Sequence, residues 1–134
     1  MILVVLLVLA LFVLQTLLPS RFREPPAPEG PSRLAENLGN RDRVRPLTTI
    51  GGRAARALTN MQEALPVFVT LALLNLIIAP QAATAVSGAW VFLIARVAYV
   101  PLYLAGVAYV RTVAWTAGWV GLGMMAVPLL RALP

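Results

Sequence analysis

The sequence predicts an all-α membrane protein, a single bundle of four transmembrane helices. Three observations carry that reading. The 134 residues are 60% hydrophobic and only 12% charged, with a mean hydropathy of +0.82. A water-soluble domain of this length has too little interior for so much apolar sequence, so the surplus must face lipid. The apolar residues fall into four runs of membrane-spanning length, separated by polar or proline-containing breaks. The polar residues inside those runs are spaced as helix stripes, with Arg56, Asn60 and Glu63 at i, i+4, i+7 and Arg96, Tyr99 and Tyr103 at i, i+3, i+7. Ionisable groups at membrane depth are costly and persist where they face a bundle interior or a polar cavity, so the two stripes predict one shared pocket.

The first helix is expected over about residues 2–18, close to the shortest length that spans a bilayer. It has no basic flank before it and no small-residue cleavage site after it, which favours a retained helix over a signal peptide. Pro19 and Ser20 are expected to end it. Residues 19–47 read as a polar loop, rich in Pro, Arg and Gly and unable to support a core, with a short helical turn near residues 32–38. The second helix is expected over residues 48–79, with a threonine hydroxyl as its cap and Pro80 as its stop. The third is expected over 83–109, kinked at Pro101. Arg111 and Thr112 then mark a tight turn. The fourth covers 113–130, with Trp115 and Trp119 as interfacial anchors near its start. Ala114 with Gly118, and Ala117 with Gly121, are small-residue pairs four apart that permit close helix contact in an assembly.

All eleven basic residues are arginines, and eight of them lie between Arg21 and Arg56. The net charge of +6 would suit nucleic acid, but juxtamembrane arginines set topology and touch anionic headgroups, so membrane lipids are the expected partner and nucleic acid is not. The positive-inside rule places the first and third loops in the cytoplasm and both termini outside, with Arg131 dissenting. Basic residues that are arginine alone point to a GC-rich genome and a bacterial inner membrane. The chain has no Cys and no His. That removes disulfides, thiolate nucleophiles and histidine-ligated metal, so no metal site is expected.

In this topology Arg56, Asn60 and Glu63 enter from the cytoplasmic side. Tyr103 and Arg111 approach the same side, and Arg96 and Tyr99 lie deeper, near mid-membrane on a rise of about 1.5 Å per residue. One reading of the cluster is structural, with Glu63 and Arg96 neutralising each other and Asn60 bridging helices. The other is functional. A single pair needs a single partner, yet the cluster carries surplus positive charge, which suits an anionic ligand held by arginine forks and tyrosine hydroxyls.

The stretch Arg53-Ala-Ala-Arg56-Ala-Leu-Thr-Asn60-Met-Gln-Glu63-Ala-Leu-Pro66-Val-Phe68 resembles the second-helix motif of the MAPEG family, the membrane-associated proteins in eicosanoid and glutathione metabolism. In that motif an Arg-Ala pair is followed by Asn, Glu and Pro. The stretch Ala95-Arg96-Val-Ala-Tyr99-Val-Pro-Leu-Tyr103 resembles the third-helix motif. The resemblance implies a homotrimer of left-handed four-helix bundles, with a glutathione site between subunits that is open to the cytoplasm. It implies that Arg56, Asn60, Glu63, Arg96, Tyr99 and Tyr103 hold the tripeptide, that Arg111 stabilises its thiolate, and that Arg21 faces the second substrate. The activity implied is a glutathione-dependent transferase or peroxidase acting on a lipophilic small molecule. The alternative is a non-catalytic membrane subunit or lipid-binding scaffold. Two positions depart from the pattern: Ala64 stands where several glutathione-using members have an aromatic residue, and Leu58 where they have a polar one.

Overall fold

The computed structural model of the chain describes residues 1–26, 28–30, 32–40 and 44–134. The stretch predicted as a loop over 19–47 includes residues 27, 31 and 41–43, which lie outside the described residues. Among the described residues there are five helices: α1 (Ile2–Arg21), α2 (Arg33–Leu38), α3 (Thr49–Ile78), α4 (Ala83–Ala105) and α5 (Ala108–Arg131). All but α2 are long and apolar enough to cross a membrane.

α1 is apolar on every side, as a lipid-facing helix should be. Its narrow inner seam is Val4, Val8 and Gln15, and it packs on α3 and α4. Pro19 does not end it. The proline removes one backbone N–H, yet the last turn survives to Arg21 and is closed by the Phe22 N–H on the Pro19 carbonyl at 3.3 Å.

α3 opens at Thr48, whose Oγ1 accepts the Gly51 N–H at 3.2 Å. Its 30 residues run about 45 Å at 1.5 Å each, longer than the roughly 30 Å hydrocarbon layer. Small side chains dominate its buried face (Gly51, Ala54, Ala57, Ala64 and Ala72), which lets the neighbouring helices approach. Between them Met61 and Phe68 fill the core. Phe68 stacks on Phe92 of α4 at 4.7 Å between ring centroids.

α4 and α5 form the most extensive helix pair. They cross at Gly88 and Gly121. A Cβ on Gly88 would lie 2.5 Å from the Gly121 carbonyl oxygen, and one on Gly121 would lie 2.6 Å from that of Gly88. Here the backbones touch because neither residue has a side chain. Gly121 therefore serves contact within the subunit, and Gly118 faces Arg96 of the same chain, so neither is free for the assembly contact the small-residue spacing suggested.

The third turn differs most from the sequence expectation. α4 stops at Ala105, not near residue 109, and α5 begins at Ala108, five residues earlier than expected. Gly106 has φ +80°, the left-handed conformation that closes a helix, and its N–H bonds the carbonyls of Leu102 and Tyr103. Arg53 reinforces the stop, its Nη1 donating to the Leu104 carbonyl at 2.9 Å, so a cation sits at the negative end of the α4 dipole. Arg111 is consequently a first-turn residue of α5 and not part of a loop.

Candidate functional site

Arg96 is the largest fully buried side chain, only 1% exposed. It stands on α4 one turn beyond Phe92, and its guanidinium carbon lies 5.1 Å from the Phe92 ring and 5.7 Å from the Tyr99 ring. Nη1 donates to Asn60 Oδ1 of α3 at 2.6 Å. Nε and Nη2 are buried and bond nothing in the protomer. A guanidinium cannot shed its charge, so two desolvated donors are left facing inward.

On the side of the bundle nearer the arginine-rich end, a cleft of about 220 Å³ opens beside this cluster. It is lined by Asn60 of α3, Tyr99 and Tyr103 of α4, and Arg111, Thr112 and Trp115 of α5. Tyr99 and Tyr103 meet edge to face at 5.3 Å. The Arg111 guanidinium lies over the Tyr103 ring at 4.4 Å. The aromatic face thus orients a cation that has no carboxylate partner within 4 Å. Arg111 also belongs to the first turn of α5, where the helix dipole is positive, so both features favour negative charge in the cleft.

The predicted residues divide into two sets. Asn60, Tyr99, Tyr103 and Arg111 line one cleft, with Arg96 directly behind Asn60. Arg56 and Glu63 are exposed and do not line it, and Arg21 is exposed in the last turn of α1. Among the described residues Glu63 makes no direct ion pair with Arg96: the guanidinium donates its hydrogen bond to Asn60, and Glu63 is near enough for its charge to act on Arg96 but is itself exposed. On a helix of 3.6 residues per turn Asn60 stands at one edge of the stripe and Arg56 and Glu63 lie together toward the other, so one edge can meet α4 while the rest stays exposed. Ala64 is fully buried in the core cluster, so an aromatic side chain at that position would have to displace helix packing. Thr112 and Trp115 were not singled out for the cleft. Trp115 follows Arg111 by four residues on one helix face, a spacing that reading Arg111 as a turn residue concealed.

A second groove lies on the outer face of α4 and α5. It measures about 810 Å³ and is almost wholly apolar, lined by Val91, Tyr109, Val113, Ala117 and Val120 together with Thr112 and Thr116. Thr112 borders both cavities. The hydroxyls of Thr112 and Thr116 already donate to the carbonyls of Ala108 and Thr112, so the groove wall offers methyl groups more than free donors.

The model of the MAPEG family matches residues 1–131 of the chain. No curated protein and no solved structure matches it.

Proposed function

The chain belongs to the MAPEG family, and from that premise we propose that it is a glutathione-dependent transferase or peroxidase acting on lipophilic electrophiles. The family includes glutathione transferases and peroxidases. The observation that carries the proposal is the cleft joining Asn60, Tyr99, Tyr103 and Arg111 beside the buried, half-partnered Arg96. The donor set fits the tripeptide. Unpartnered guanidinium N–H groups suit its carboxylates, while Asn60 and the tyrosine hydroxyls suit its amides. Bound there, glutathione would supply the thiolate nucleophile, which a chain without Cys needs from outside. Arg111, an uncompensated cation in the first turn of a helix, would hold negative charge on the sulfur. The apolar groove meeting the cleft at Thr112 gives a lipophilic partner a route from the bilayer.

The active assembly is a homotrimer in this reading. Arg56, Glu63, Thr70 and Ile77 are spaced by seven and all exposed, with Thr59, Pro66 and Leu73 exposed between them. That is a heptad seam on one face of α3. Glu63 lies halfway along a membrane-spanning helix, and a carboxylate there does not face lipid. A neighbouring copy would cover the seam and bring Arg56 and Glu63 to a shared site. The arginine-rich end would face the cytoplasm, with both termini outside and the protein in a bacterial inner membrane.

The buried Ala64 favours a second reading, in which the fold is kept as a non-catalytic subunit or lipid-binding scaffold. Isothermal titration of the detergent-purified protein with glutathione decides between them. Saturable binding is expected. A flat titration at millimolar glutathione, from a well-folded protein, ends the transferase reading.

A further inference from the structure

Between α1 and α3 the chain is clamped at its base. The Thr48 N–H and Oγ1 both donate to the Phe22 carbonyl at 2.9 and 2.8 Å. The Glu24 N–H donates to the Pro46 carbonyl at 3.1 Å, and Arg23 pairs with Leu47 in an antiparallel bridge. The two arginines at the clamp turn inward to tie it, Arg23 on the Arg45 carbonyl and Arg45 on the Glu24 carbonyl. The clamp sits where α1 ends and α3 begins, so the loop it closes starts at the membrane surface and not out in water.

The loop carries α2, whose two ends are closed by its own residues. Ser32 Oγ accepts the Ala35 N–H at 3.2 Å, and the Gly39 N–H closes the other end on the Ala35 carbonyl at 2.9 Å. α2 packs against none of the four long helices. Yet Leu34 and Leu38, at i, i+4 on one face, are 69% and 79% exposed. No described residue covers them. Eight residues (25–32) separate the clamp at Glu24 from α2 on one side, and six (39–44) lie between Leu38 and Arg45 on the other. At about 3.3 Å per residue either strand lets the helix lie on the bilayer beside the bundle. The charge of the region matches one surface in particular. Residues 21–56 hold eight arginines against four carboxylates, and Arg111 emerges at the same end.

We propose that α2 is an interfacial anchor, seating Leu34 and Leu38 in the headgroup layer of an anionic leaflet to which the net positive charge of residues 21–56 draws it. A short amphipathic element of this kind needs both apolar area and electrostatic attraction to hold at the interface. The clamp adds what two leucines cannot, because it holds both ends of the loop at the end of the bundle and so keeps α2 at a high effective concentration near the surface.

The chain has no cysteine, so Leu38→Cys carries a single environment-sensitive fluorophore. The label is read in nanodiscs of phosphatidylcholine and in nanodiscs of phosphatidylcholine mixed with phosphatidylglycerol. In the anionic nanodiscs the emission shifts to the blue and is quenched by lipids spin-labelled near the headgroup, and salt reverses part of the shift. The same label on Glu29→Cys, in the turn before α2, stays water-like in both. In a chain carrying Leu34→Ser with the label at position 38, the shift shrinks. A position-38 label that stays water-like in both lipids overturns the proposal, because α2 then stands in solvent. A label shielded equally in both lipids and in lipid-free detergent also overturns it, because the leucines then rest on protein.

Discussion

Away from the arginine-rich end, Asn75 is 1% exposed, and its Nδ2 donates to the carbonyls of Leu71 and Met125, each at 2.8 Å. Nearer that end Arg96 is buried to the same extent, but only its Nη1 is bonded, and two further donors find nothing in the protomer. The Asn75 amide ties α3 to α5, and the backbones of α4 and α5 touch close by at Gly88 and Gly121. Around Arg96 the helices are spaced by Tyr99, Tyr103 and Arg111, and a cleft remains. The same four helices therefore use one buried polar residue as a fastener and another as an unfinished contact. Both residues leave a buried polar atom unpaired, Oδ1 on Asn75 and Nε and Nη2 on Arg96, but only Arg96 carries a full charge beside an open cleft, and that marks its half as the one shaped for a ligand.

The comparison breaks if the closed half tolerates cavities. Phe68→Ala removes one ring of the Phe68–Phe92 stack, and truncating a buried phenylalanine typically costs about 3–5 kcal/mol. Thermal unfolding in detergent should show the largest loss of any substitution considered. In the open half the large effect should fall on turnover. Arg111→Ala should lower kcat about 10²- to 10³-fold, the usual cost of removing one group that stabilises developing negative charge, with the melting temperature close to that of the parent. An equal drop in stability and activity would mean that Arg111 is only packing.

Asn60→Ala tests the boundary between the halves. It removes the partner of Arg96 and should cost about 1.5–3 kcal/mol, the range for a hydrogen bond to a charged group. Isosteric Asn60→Asp, which keeps an acceptor at the same place, should lose much less. By contrast Glu63→Ala in the monomeric, detergent-dissociated protein should change stability by no more than about 0.5 kcal/mol, because Glu63 is exposed there. Its effect should appear only in the assembled oligomer, read by cross-linking.

The smallest differences are the sharpest. Gly121→Ala places a Cβ against the Gly88 backbone and should cost about 1–3 kcal/mol through overpacking. Gly118→Ala, one turn earlier on the same helix, places a Cβ 3.5 Å from Arg96 Nε, an ordinary contact. It should leave stability unchanged or slightly improved, since alanine is the better helix former by up to about 1 kcal/mol. It should nonetheless weaken any ligand that uses Nε. Thermal shifts of the two variants, measured side by side, decide whether the halves differ as the structure shows.

What the sequence determined by itself was whatever one helix can specify alone. The four apolar runs, the threonine cap of α3 and the two polar stripes follow from hydropathy and a 3.6-residue period, which need no partner. The single-helix signals that were misread were turn chemistry. Pro19 predicts a stop, yet a proline in a last turn removes only one bond and α1 continues to Arg21, and the helix break expected at Arg111 falls at Gly106. Tertiary structure decided everything that depends on a pair of helices. It chose Asn60 and not Glu63 as the hydrogen-bond partner of Arg96, placed Gly121 at the α4–α5 crossing, buried Ala64 in the core, and left Arg56 and Glu63 exposed. Periodicity gives each side chain an angle about its own axis, but which neighbour stands at that angle is set by how the helices pack against one another.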